Sequence, residues 1–590
     1  MVNDVTYLGK IIRVDSNAVE VEISDKISSA SAVINGKVYK IGQIGTYVKI
    51  LAGNITTFGL VDSVSNTPSN IVDPSLLYNL GSRFLTVTLV GEKIGNRKFE
   101  KGIGLYPTIN DEVHLVTEKD LFDIYGGAND NKNLLSLGKH SSSENLDVFL
   151  DIHKLVLRHS AIMGSTGSGK SNSVVSIIKS LNSQLKNSRM ILIDPHGEYA
   201  SAFPNAKVFR IGDRDKPLYV PFWLMTYDEL AYFLVGAKPA DDARPEYRTL
   251  REMILQAKKE NCRLAAGDVN PDFITADSPI PFDIRQIWYG INRRVYATYD
   301  NKTNQTKETE CLEQEGAAEK LIPAKFKPYS MGTTAPFKSN DGMFFAYEKK
   351  LLARLKDSRY DFMFYPGGYR TADSGKDLHD LLIDWISGEE RLTILDLSNV
   401  PFEVIDITVG LITRFLYDSM FWGRFEQNTG RNRPLLIAYE EAHSYLGKNN
   451  NTIYAKDAVE RIFKEGRKFG IGAMVISQRP SELSETILAQ VGTFIALRLT
   501  NSSDQSIVKS MAPDNMNSLI DLLPSLRIGE AVVVGEAINI PSRVKLPLQT
   551  PCPDSSDPDV VEMWKKDYRH ETSENYSNVV KNIREQKIRR

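Results

Sequence analysis

Eight consecutive residues have the composition of a phosphate-binding loop. Between positions 164 and 171 the chain reads Gly-Ser-Thr-Gly-Ser-Gly-Lys-Ser, which matches the pattern G-x-x-x-x-G-K-[ST] in full. Such glycines let backbone N–H groups close around phosphate oxygens, the lysine reaches the β and γ phosphates, and the last hydroxyl ligates Mg²⁺. We predict that a nucleotide is bound by Gly164, Ser165, Thr166, Gly167, Ser168, Gly169, Lys170, Ser171 and Asn172.

A pair of carboxylates is suited to the two further roles that hydrolysis requires, a metal ligand and a general base. Glu440 and Glu441 come directly after the apolar run Leu435–Tyr439. Carboxylates at the end of a buried strand project at the sheet edge where ligands of α/β folds bind. We assign Mg²⁺ to Glu440 together with Ser171, and we assign Glu441 the role of the general base that polarises the attacking water. The alternative is a solvated acidic helix start, stabilised by the helix dipole.

The residues around the glycine-rich loop favour a strand before it and a helix after it. Ala161–Met163 is apolar, and Val174, Ile177, Ile178 and Leu181 recur at the spacing of a helix buried on one face. Strand, loop and helix therefore follow one another in the order that phosphate binding requires. A chance glycine- and serine-rich loop does not explain that context.

From about residue 158 apolar strands alternate with amphipathic helices, which is typical of an α/β fold with a parallel sheet. The long gap between the second and third strands is rich in charge and in helical patterns. We predict a core made of residues 155–230 and 390–550, divided by a largely helical insertion at 231–389. The predicted strands are Ser160–Met163, Met190–Ile193, Leu392–Leu397, Leu435–Tyr439, Ala473–Ser477 and Phe494–Leu499.

The remaining segments are an N-terminal domain, a linker and a tail. Residues 1–125 contain short strands separated by turn residues and predict a small β-barrel or sandwich. Residues 126–154 are interpreted as a linker, and the polar residues 551–590 as a tail that is either solvated or a strap on a neighbouring subunit. The predicted N-terminal strands are Tyr7–Val14, Ala18–Ile23, Thr46–Leu51, Phe58–Val64, Phe84–Val90 and Glu112–Thr117.

Composition excludes several classes of protein. Three cysteines, Cys262, Cys311 and Cys552, are too far apart for a disulfide framework or a zinc site. No apolar run reaches the roughly 18 residues needed to span a bilayer, so we expect a cytoplasmic protein without a membrane partner. The net charge of −2 does not indicate nucleic-acid binding. Basic groups lining a channel in an assembled ring are nevertheless compatible with a neutral total.

Five further motifs resemble those of the HerA family, hexameric ATPases related to the FtsK DNA pumps. The resemblance covers residues 155–235 and 390–540, and only the general strand pattern of the N-terminal domain is similar to the family's small barrel. It implies a RecA-like P-loop core, ATP and Mg²⁺ as cofactors, a homo-hexameric ring, and double-stranded DNA bound in the pore independently of sequence. The motifs are Asp194–Tyr199 (Asp-Pro-His-Gly-Glu-Tyr), Ile394–Asn399, Glu440–His443, Arg467–Gly470 and Ser477–Pro480.

The same resemblance implies roles for individual residues. Arg467 would reach the γ-phosphate of a neighbouring subunit, and its alternative is a helix C-terminal cap. Gln478 would sense the γ-phosphate or the water, unless it only bonds to backbone at a strand end. Arg158 is a weaker arginine candidate. Residues Asp194, His196 and Glu198 would transmit the state of the nucleotide, although a structural turn explains them almost as well.

Function is predicted at two levels. We expect an ATP-dependent DNA translocase or helicase that works with a separate nuclease or a sirtuin-like NADase effector, in DNA end processing or anti-phage defence. The alternative is a nucleotide-gated ring that assembles and activates such an effector, and a secretion ATPase ranks last. No base-reading motif occurs. The basic and aromatic stretch Trp422, Arg424, Phe425, Arg431 and Arg433 is either a DNA contact or a loop anchored by aromatics.

Overall fold

The computed structural model describes fourteen stretches of the chain, which fall into two compact units. The first unit contains Met1–Lys207, Glu389–Ile394 and Leu416–Asp557, and the second contains Val208–Gly388, Leu395–Phe415 and Pro558–Arg590. Most of the predicted loop at 126–133 and the end of the predicted tail lie outside the described residues. These are 6–25, 27, 31–34, 36–66, 83–125, 133–141, 143–236, 243–262, 269–370, 375–448, 454–511, 517–554, 558–566 and 573–585.

The N-terminal strands form a closed antiparallel barrel. The sheet order is β2-β1-β9-β5-β6-β7-β8, and β2 pairs back with β7, so that six strands close on themselves. Alternating residues such as Leu8, Val21, Ile50 and Val87 fill the interior. The predicted barrel is confirmed, and each predicted strand begins within three residues of the observed one. The strands are β1 (Tyr7–Val14), β2 (Ala18–Ile23), β3 (Ser31–Ile34), β4 (Lys37–Lys40), β5 (Tyr47–Ala52), β6 (Ile55–Ser65), β7 (Phe84–Ile94), β8 (Glu100–Lys101) and β9 (Glu112–Leu115).

Eleven of the later strands form one large sheet in the order β11-β10-β24-β23-β22-β12-β21-β20-β13-β19-β14. The short strands β15 and β18 pair with each other, as do β16 and β17. The strands are β10 (Leu134–His140), β11 (Ser143–Asp151), β12 (Ser160–Met163), β13 (Met190–Asp194), β14 (Lys207–Arg210), β15 (Thr298–Tyr299), β16 (Leu312–Gln314), β17 (Lys325–Phe326), β18 (Phe337–Lys338), β19 (Leu392–Asp396), β20 (Leu435–Tyr439), β21 (Ile471–Ser477), β22 (Thr493–Ala496), β23 (Glu530–Gly535) and β24 (Ser542–Lys545).

The helices follow the predicted alternation with strands in the core and dominate the second unit between residues 227 and 386. They are α1 (Glu118–Tyr125), α2 (Ile152–Leu157), α3 (Lys170–Gln184), α4 (Tyr227–Val235), α5 (Pro245–Asn261), α6 (Ile284–Tyr296), α7 (Phe345–Lys356), α8 (Asp361–Phe364), α9 (Leu378–Ile386), α10 (Phe402–Trp422), α11 (Tyr454–Phe469), α12 (Glu485–Ala489), α13 (Ser502–Met511), α14 (Asn517–Ile520), α15 (Val560–Lys565) and α16 (Ser573–Glu585).

The sheet corrects two predictions. It is mixed rather than wholly parallel, because β22, β23, β24, β10 and β11 are joined by antiparallel pairs. The predicted linker 126–154 is also wrong over its second half, where β10 and β11 extend the sheet and α2 begins. Leu135, Leu137, Val148 and Leu150 are buried there, and this alternation of apolar and polar residues belongs to a strand pair. The other domain boundaries stay predictions.

The centre of the sheet positions the candidate site. Strands β22, β12, β21, β20 and β13 are neighbours, and the four pairs they form are parallel. Their carboxyl ends therefore meet at one edge of the sheet, which is the edge where the glycine-rich loop follows β12. Among the described residues, no helix is both long enough and apolar enough to cross a bilayer.

Candidate active site

The glycine-rich loop links β12 to α3 in a conformation that needs its glycines. Gly167 and Gly169 have φ angles of 71° and 98°, in the left-handed region that side chains rarely adopt. A Cβ atom at Gly164 would lie 2.5 Å from the Oγ atom of Ser168. The Ser168 hydroxyl is buried and has no hydrogen-bond partner within the described residues. The loop thus leaves no room for a larger residue at position 164, and the backbone conformation favours glycine at positions 167 and 169.

Lys170, the first residue of α3, bonds to both predicted acids. Its Nζ atom lies 2.5 Å from Oε1 of Glu441 and 3.3 Å from Oε1 of Glu440. All three side chains are buried at the carboxyl edge of the sheet. An anionic ligand can bind this buried ammonium group only if it displaces the carboxylates that already pair with it. In this arrangement the positive charge of Lys170 is therefore balanced by ion pairing with the carboxylates.

Glu441 has an unusual backbone conformation, and three side chains contact its carboxylate. Its φ angle is 47°, which is strained for a residue with a Cβ atom. Gln478 donates from Nε2 to Oε1 at 2.5 Å, and the Nδ1 atom of His443 lies 3.2 Å from Oε2. The amide oxygen of Gln478 in turn accepts a bond of 2.7 Å from the Thr166 hydroxyl. The loop and the carboxylate are therefore connected through one glutamine.

The two adjacent acids differ in proton affinity. Burial raises the pKa of Glu440 to about 7, although Lys170 opposes this change. Burial also acts to raise the pKa of Glu441, but the charge and hydrogen bond of Lys170 and the bond from Gln478 together lower it below the usual value. Glu441 consequently remains ionised at neutral pH. This difference is compatible with the predicted roles, in which the ionised Glu441 is the general base and the partly protonated Glu440 is the cation ligand.

The loop after β13 packs against the same acids. Asp194 accepts backbone bonds from His196 at 3.3 Å, from Gly197 at 2.8 Å and from Tyr199 at 3.1 Å. The buried Tyr199 hydroxyl donates to Oε2 of Glu440 at 2.9 Å. Asp194 therefore builds the turn, which agrees with the structural alternative for this residue. Sequence reasoning did not single out Tyr199 as a site residue, although it ends the motif that begins at Asp194.

The chain matches known helicases over most of its length. Residues 135–416 match the helicase HerA central domain, and residues 423–562 match the helicase HerA-like C-terminal domain. The chain is also 26% identical over 466 residues to the DNA double-strand break repair helicase HerA of Sulfolobus acidocaldarius, with 78% of each protein covered. The chain belongs to the HerA helicase family. As a member of the HerA family it is a P-loop ATPase, and the resemblance predicted from its motifs is confirmed.

A second helicase relative and one solved structure are also similar to the chain. The DNA double-strand break repair helicase HerA of Pyrococcus furiosus is 26% identical over 490 residues, which cover 78% of this chain and 77% of that protein. Among solved structures, VirB4 of Thermoanaerobacter pseudethanolicus is similar with a TM-score of 0.46 and 15% identity, covering 71% of this chain and 98% of that one. The assignment to the HerA family rests on the domain matches and the helicase relatives.

Glu198, another predicted residue of this HerA-family chain, contacts the site, whereas His196 does not. Glu198 accepts a bond of 3.3 Å from the Ser171 hydroxyl through Oε2, so it lies beside a predicted cation ligand. His196 is exposed next to it. The coupling roles of these residues remain predictions. The geometry brings Glu198 to the phosphate loop but does not bring the His196 ring into contact with another described side chain.

Asn172 contacts a segment that follows β24. Its side chain donates to the backbone oxygen of Pro547 at 3.0 Å and accepts from the backbone N–H of Gln549 at 2.8 Å. Both ends of its amide therefore bond to protein backbone. Nucleotide binding by Asn172 stays a prediction.

Both predicted arginines lie away from the loop of their own chain. Arg467 is exposed in the last turn of α11, just before β21 begins, and therefore lies at the amino edge of the parallel strands. Within the described part of the chain, no hydrogen bond or ion pair holds its guanidinium group. Arg158 precedes β12 at the same edge and forms an ion pair with Glu536. The structure therefore brings neither arginine to the Glu441 site of the same subunit.

The basic and aromatic stretch before β20 follows Phe421, a half-buried ring, while its own two aromatic residues are exposed. Phe421 packs on Tyr417 and Phe469, with ring centroids 6.2 and 5.0 Å apart. Trp422 and Phe425 are instead 76% and 84% exposed. The predicted anchored loop thus exists, but its anchor is Phe421 rather than the two aromatic residues named from the sequence.

The donor set fits Mg²⁺ bound together with a nucleotide. The Ser171 hydroxyl and the Glu440 carboxylate are hard oxygen donors, which Mg²⁺ prefers. Among the described residues no group of three or more His, Cys, Asp or Glu side chains could hold a metal ion by itself. A cation that relies on few protein oxygens and completes its shell with phosphate and water matches this arrangement.

Proposed function

We propose that this chain is an ATP-driven motor that assembles as a hexameric ring and moves on double-stranded DNA independently of sequence. In the proposed function the ring supplies DNA to a separate nuclease or other effector, in DNA end processing or in anti-phage defence. Support for DNA as the substrate comes from the HerA relatives, which are named DNA double-strand break repair helicases. Support for hydrolysis comes from the site itself.

The contact that carries the proposal is the Lys170–Glu441 pair beside the phosphate loop. Phosphate groups entering the loop compete with the carboxylates for the ammonium group, 2.5 Å from Glu441. Loss of that ion pair leaves the Glu441 carboxylate ionised and held by Gln478. It can then accept a proton from water as the general base, while Lys170 binds phosphate oxygens.

The cation is assigned to Ser171 and Glu440. When bound, Mg²⁺ neutralises charge on the phosphates and polarises the bond to be broken. Ser171 gives up its bond to Glu198, and Glu440 loses its proton, which it binds with a pKa of about 7 in the protein alone. The Tyr199 hydroxyl keeps the Glu440 carboxylate in position through its bond to Oε2.

A ring is favoured by the position of Arg467. The residue is exposed at the sheet edge opposite the phosphate loop of its own subunit. An arginine supplied to a neighbouring site stabilises the charge of the phosphoryl-transfer transition state. Six subunits are the number implied by the family resemblance. A separate effector is likewise implied by the family resemblance.

The proposal is tested by the steady-state rate of ATP hydrolysis with and without linear double-stranded DNA. Glu441→Gln serves as the blank because it retains the shape of the side chain and removes the base. Stimulation by DNA that disappears in this variant supports the motor. Hydrolysis that DNA does not change contradicts translocation and favours a ring whose nucleotide cycle controls an effector.

A further inference from the structure

Two large aliphatic side chains are exposed beside the phosphate loop. Ile528 is 68% exposed and Leu548 is 85% exposed. Single exposed aliphatic residues are common on protein surfaces and need no explanation. These two differ because hydrogen bonds fix the backbone on both sides of each residue and connect it to the loop or to α3.

Ile528 lies in a tight turn that contacts the loop. The N–H of Glu530 donates to the oxygen of Arg527 at 3.0 Å, and the Arg527 N–H donates to the Glu530 side chain at 3.0 Å. Gly529 has a φ angle of 77°, which allows the turn to close. The N–H of Gly529 also donates to the backbone oxygen of Ser168 at 3.0 Å. The turn is therefore attached directly to the phosphate loop.

Leu548 is fixed by the side chain of Asn172. The two amide bonds of Asn172, at 3.0 and 2.8 Å, go to Pro547 and Gln549, the residues on either side of Leu548. Asn172 lies in the first turn of α3, two residues after the phosphate-binding lysine. A further bond of 2.9 Å, from the Leu546 N–H to the Gly529 oxygen, joins this segment to the turn that carries Ile528.

A nucleotide whose phosphates occupy the loop must place its sugar and base next to the loop and the first turn of α3. The residues next to Ile528 and Leu548 in the chain bond to Ser168 of the loop and to Asn172 in the first turn of α3, and the Asn172 amide is already bonded to backbone. We propose that Ile528 and Leu548 form an apolar subsite for the nucleobase, and that Asn172 is a positioning residue for Leu548. This inference depends on the proposed nucleotide binding but adds the recognition of the base.

The subsite recognises the flat face of a purine rather than its polar edge. Covering exposed aliphatic surface with an aromatic base is favourable in proportion to the apolar area removed from water. Discrimination between adenine and guanine needs polar groups aimed at the base edge. The subsite therefore predicts similar affinity for ADP and GDP.

The test compares a ligand that has a base with one that has none. Isothermal titration calorimetry measures the Kd of ADP and of inorganic tripolyphosphate, both with Mg²⁺, for the wild type, Ile528→Ala, Leu548→Ala and the double variant. Ile109→Ala is the matched control, since Ile109 is 60% exposed on the barrel. We expect the double variant to bind ADP about tenfold more weakly, with unchanged affinity for tripolyphosphate.

Three results separate this inference from the proposed function. ADP affinity in the double variant within twofold of the Ile109→Ala value overturns the subsite. Equal weakening of both ligands also overturns it, because the residues would then act on the phosphate loop. A wild type that binds neither ligand contradicts nucleotide binding itself. Asn172→Ala is expected to weaken ADP more than tripolyphosphate, with an unchanged melting temperature of the ligand-free protein.

Discussion

A chain of four side chains connects the phosphate loop to Glu441, the proposed general base, and to Lys170. Thr166 donates to Gln478, Gln478 donates to Glu441, and Glu441 bonds to Lys170. A γ-phosphate would lie among these groups because the loop and the lysine are its ligands. Gln478 thus bonds both to the Glu441 carboxylate and to the Thr166 hydroxyl of the loop. These contacts favour the predicted sensor role over a bond to strand-end backbone.

Removing the Gln478 amide should slow hydrolysis without weakening binding. We expect Gln478→Ala to reduce the turnover number by about 100-fold, the typical cost of one donor that is preorganised in an active site. The affinity for ADP should change by less than about twofold, since Lys170 and the loop backbone are intact. Steady-state hydrolysis and ADP titration measure the two quantities. Gln490→Ala, at an exposed position, is the control. Parallel loss of turnover and ADP binding would contradict the assignment.

Burial lowers the pKa of Lys258 and makes the stability of the protein depend on pH. Its side chain is fully buried in the second unit, and Nζ donates to the Ala276 oxygen at 2.6 Å. Burial lowers the pKa of Lys258 from 10.5 to about 7, with Asp277 opposing the change and Arg414 adding to it. The unfolded chain thus binds more protons than the folded chain between these two values. Stability should therefore rise as the pH increases through this range.

The pH dependence can be measured with tryptophan fluorescence. Trp223, Trp288 and Trp385 are fully buried and all lie in the second unit, so they report its unfolding. Between pH 7 and pH 9.5 the free energy of unfolding should rise by about 3 kcal/mol more for the wild type than for Lys258→Met. Urea titrations at both pH values give this difference. Lys259→Met is the control, and an equal rise in wild type and Lys258→Met would contradict the depressed pKa.

At the scale of elements, the barrel and the core sheet share a buried hydroxyl cluster. The Tyr47 hydroxyl on β5 donates to the oxygen of Pro541 and lies 3.1 Å from Oγ of Ser542, the first residue of β24. The Tyr125 hydroxyl at the end of α1 lies 2.5 Å from the same Oγ atom. These polar groups are buried, so each must find a partner within the protein. The cluster therefore holds the barrel against this end of the sheet.

Tyr47→Phe should destabilise the first unit. The change leaves the Pro541 oxygen without its donor, and an unsatisfied buried acceptor costs about 1–3 kcal/mol. Differential scanning calorimetry of the full chain should show a lower melting temperature for one transition. Tyr106→Phe provides a matched control because Tyr106 is 46% exposed. A melting temperature equal to that of the control would mean that the cluster contributes nothing to stability.

The sequence predicted elements well where local pattern and burial coincide. The strands β12 and β20 have the predicted bounds because they are continuous apolar runs at the centre of the sheet. Strands β10 and β11 were interpreted as a linker because their alternating pattern is short and interrupted by serine and glycine. Strand β23 was not predicted, although Ala531–Val534 is apolar, because the expected parallel sheet was already complete without it.

Only part of the candidate site could be predicted from the sequence. The loop and the Glu440–Glu441 pair follow from motifs, since a fixed spacing determines their place on the sheet. The supporting contacts of Tyr199 and Asn172 depend on residues 241 and 375 positions away in the chain. No local pattern contains that information. Contacts of this kind become visible only when the sheet brings distant segments to one edge.

At the scale of the whole molecule, Arg467 lies apart from the other proposed catalytic residues of the same chain. Glu441, Gln478 and Lys170 converge at the carboxyl edge of the sheet, whereas Arg467 is exposed at the amino edge. A residue at the opposite edge cannot reach the phosphates bound by its own loop without unfolding the sheet between them. In a ring of subunits arranged head to tail, the amino edge of one subunit meets the carboxyl edge of the next.

This arrangement makes a specific prediction for mixtures of subunits. Arg467→Ala alone should lower hydrolysis by about 10³-fold while it leaves ADP affinity unchanged. When the variant is mixed with wild type before assembly, each variant subunit should disable the Lys170–Glu441 site of one neighbour, while its own site can be completed by a wild-type Arg467. Activity should therefore follow the fraction of wild-type subunits, and part of it should come from sites in the variant subunits. Lys468→Ala, at the adjacent exposed position, should leave activity proportional to total protein.

A mixture of two variants distinguishes a shared site from a site within one subunit. If Arg467 only caps α11, Arg467→Ala retains hydrolysis, and if Arg467 acts within its own subunit, a mixture with wild type also follows the wild-type fraction. Glu441→Gln is therefore mixed with Arg467→Ala. A subunit with an intact Glu441 next to one with an intact Arg467 forms a complete site, so two variants that are inactive alone should regain part of the activity together. Such complementation requires a site shared between subunits, because a site contained within one subunit is defective in both variants.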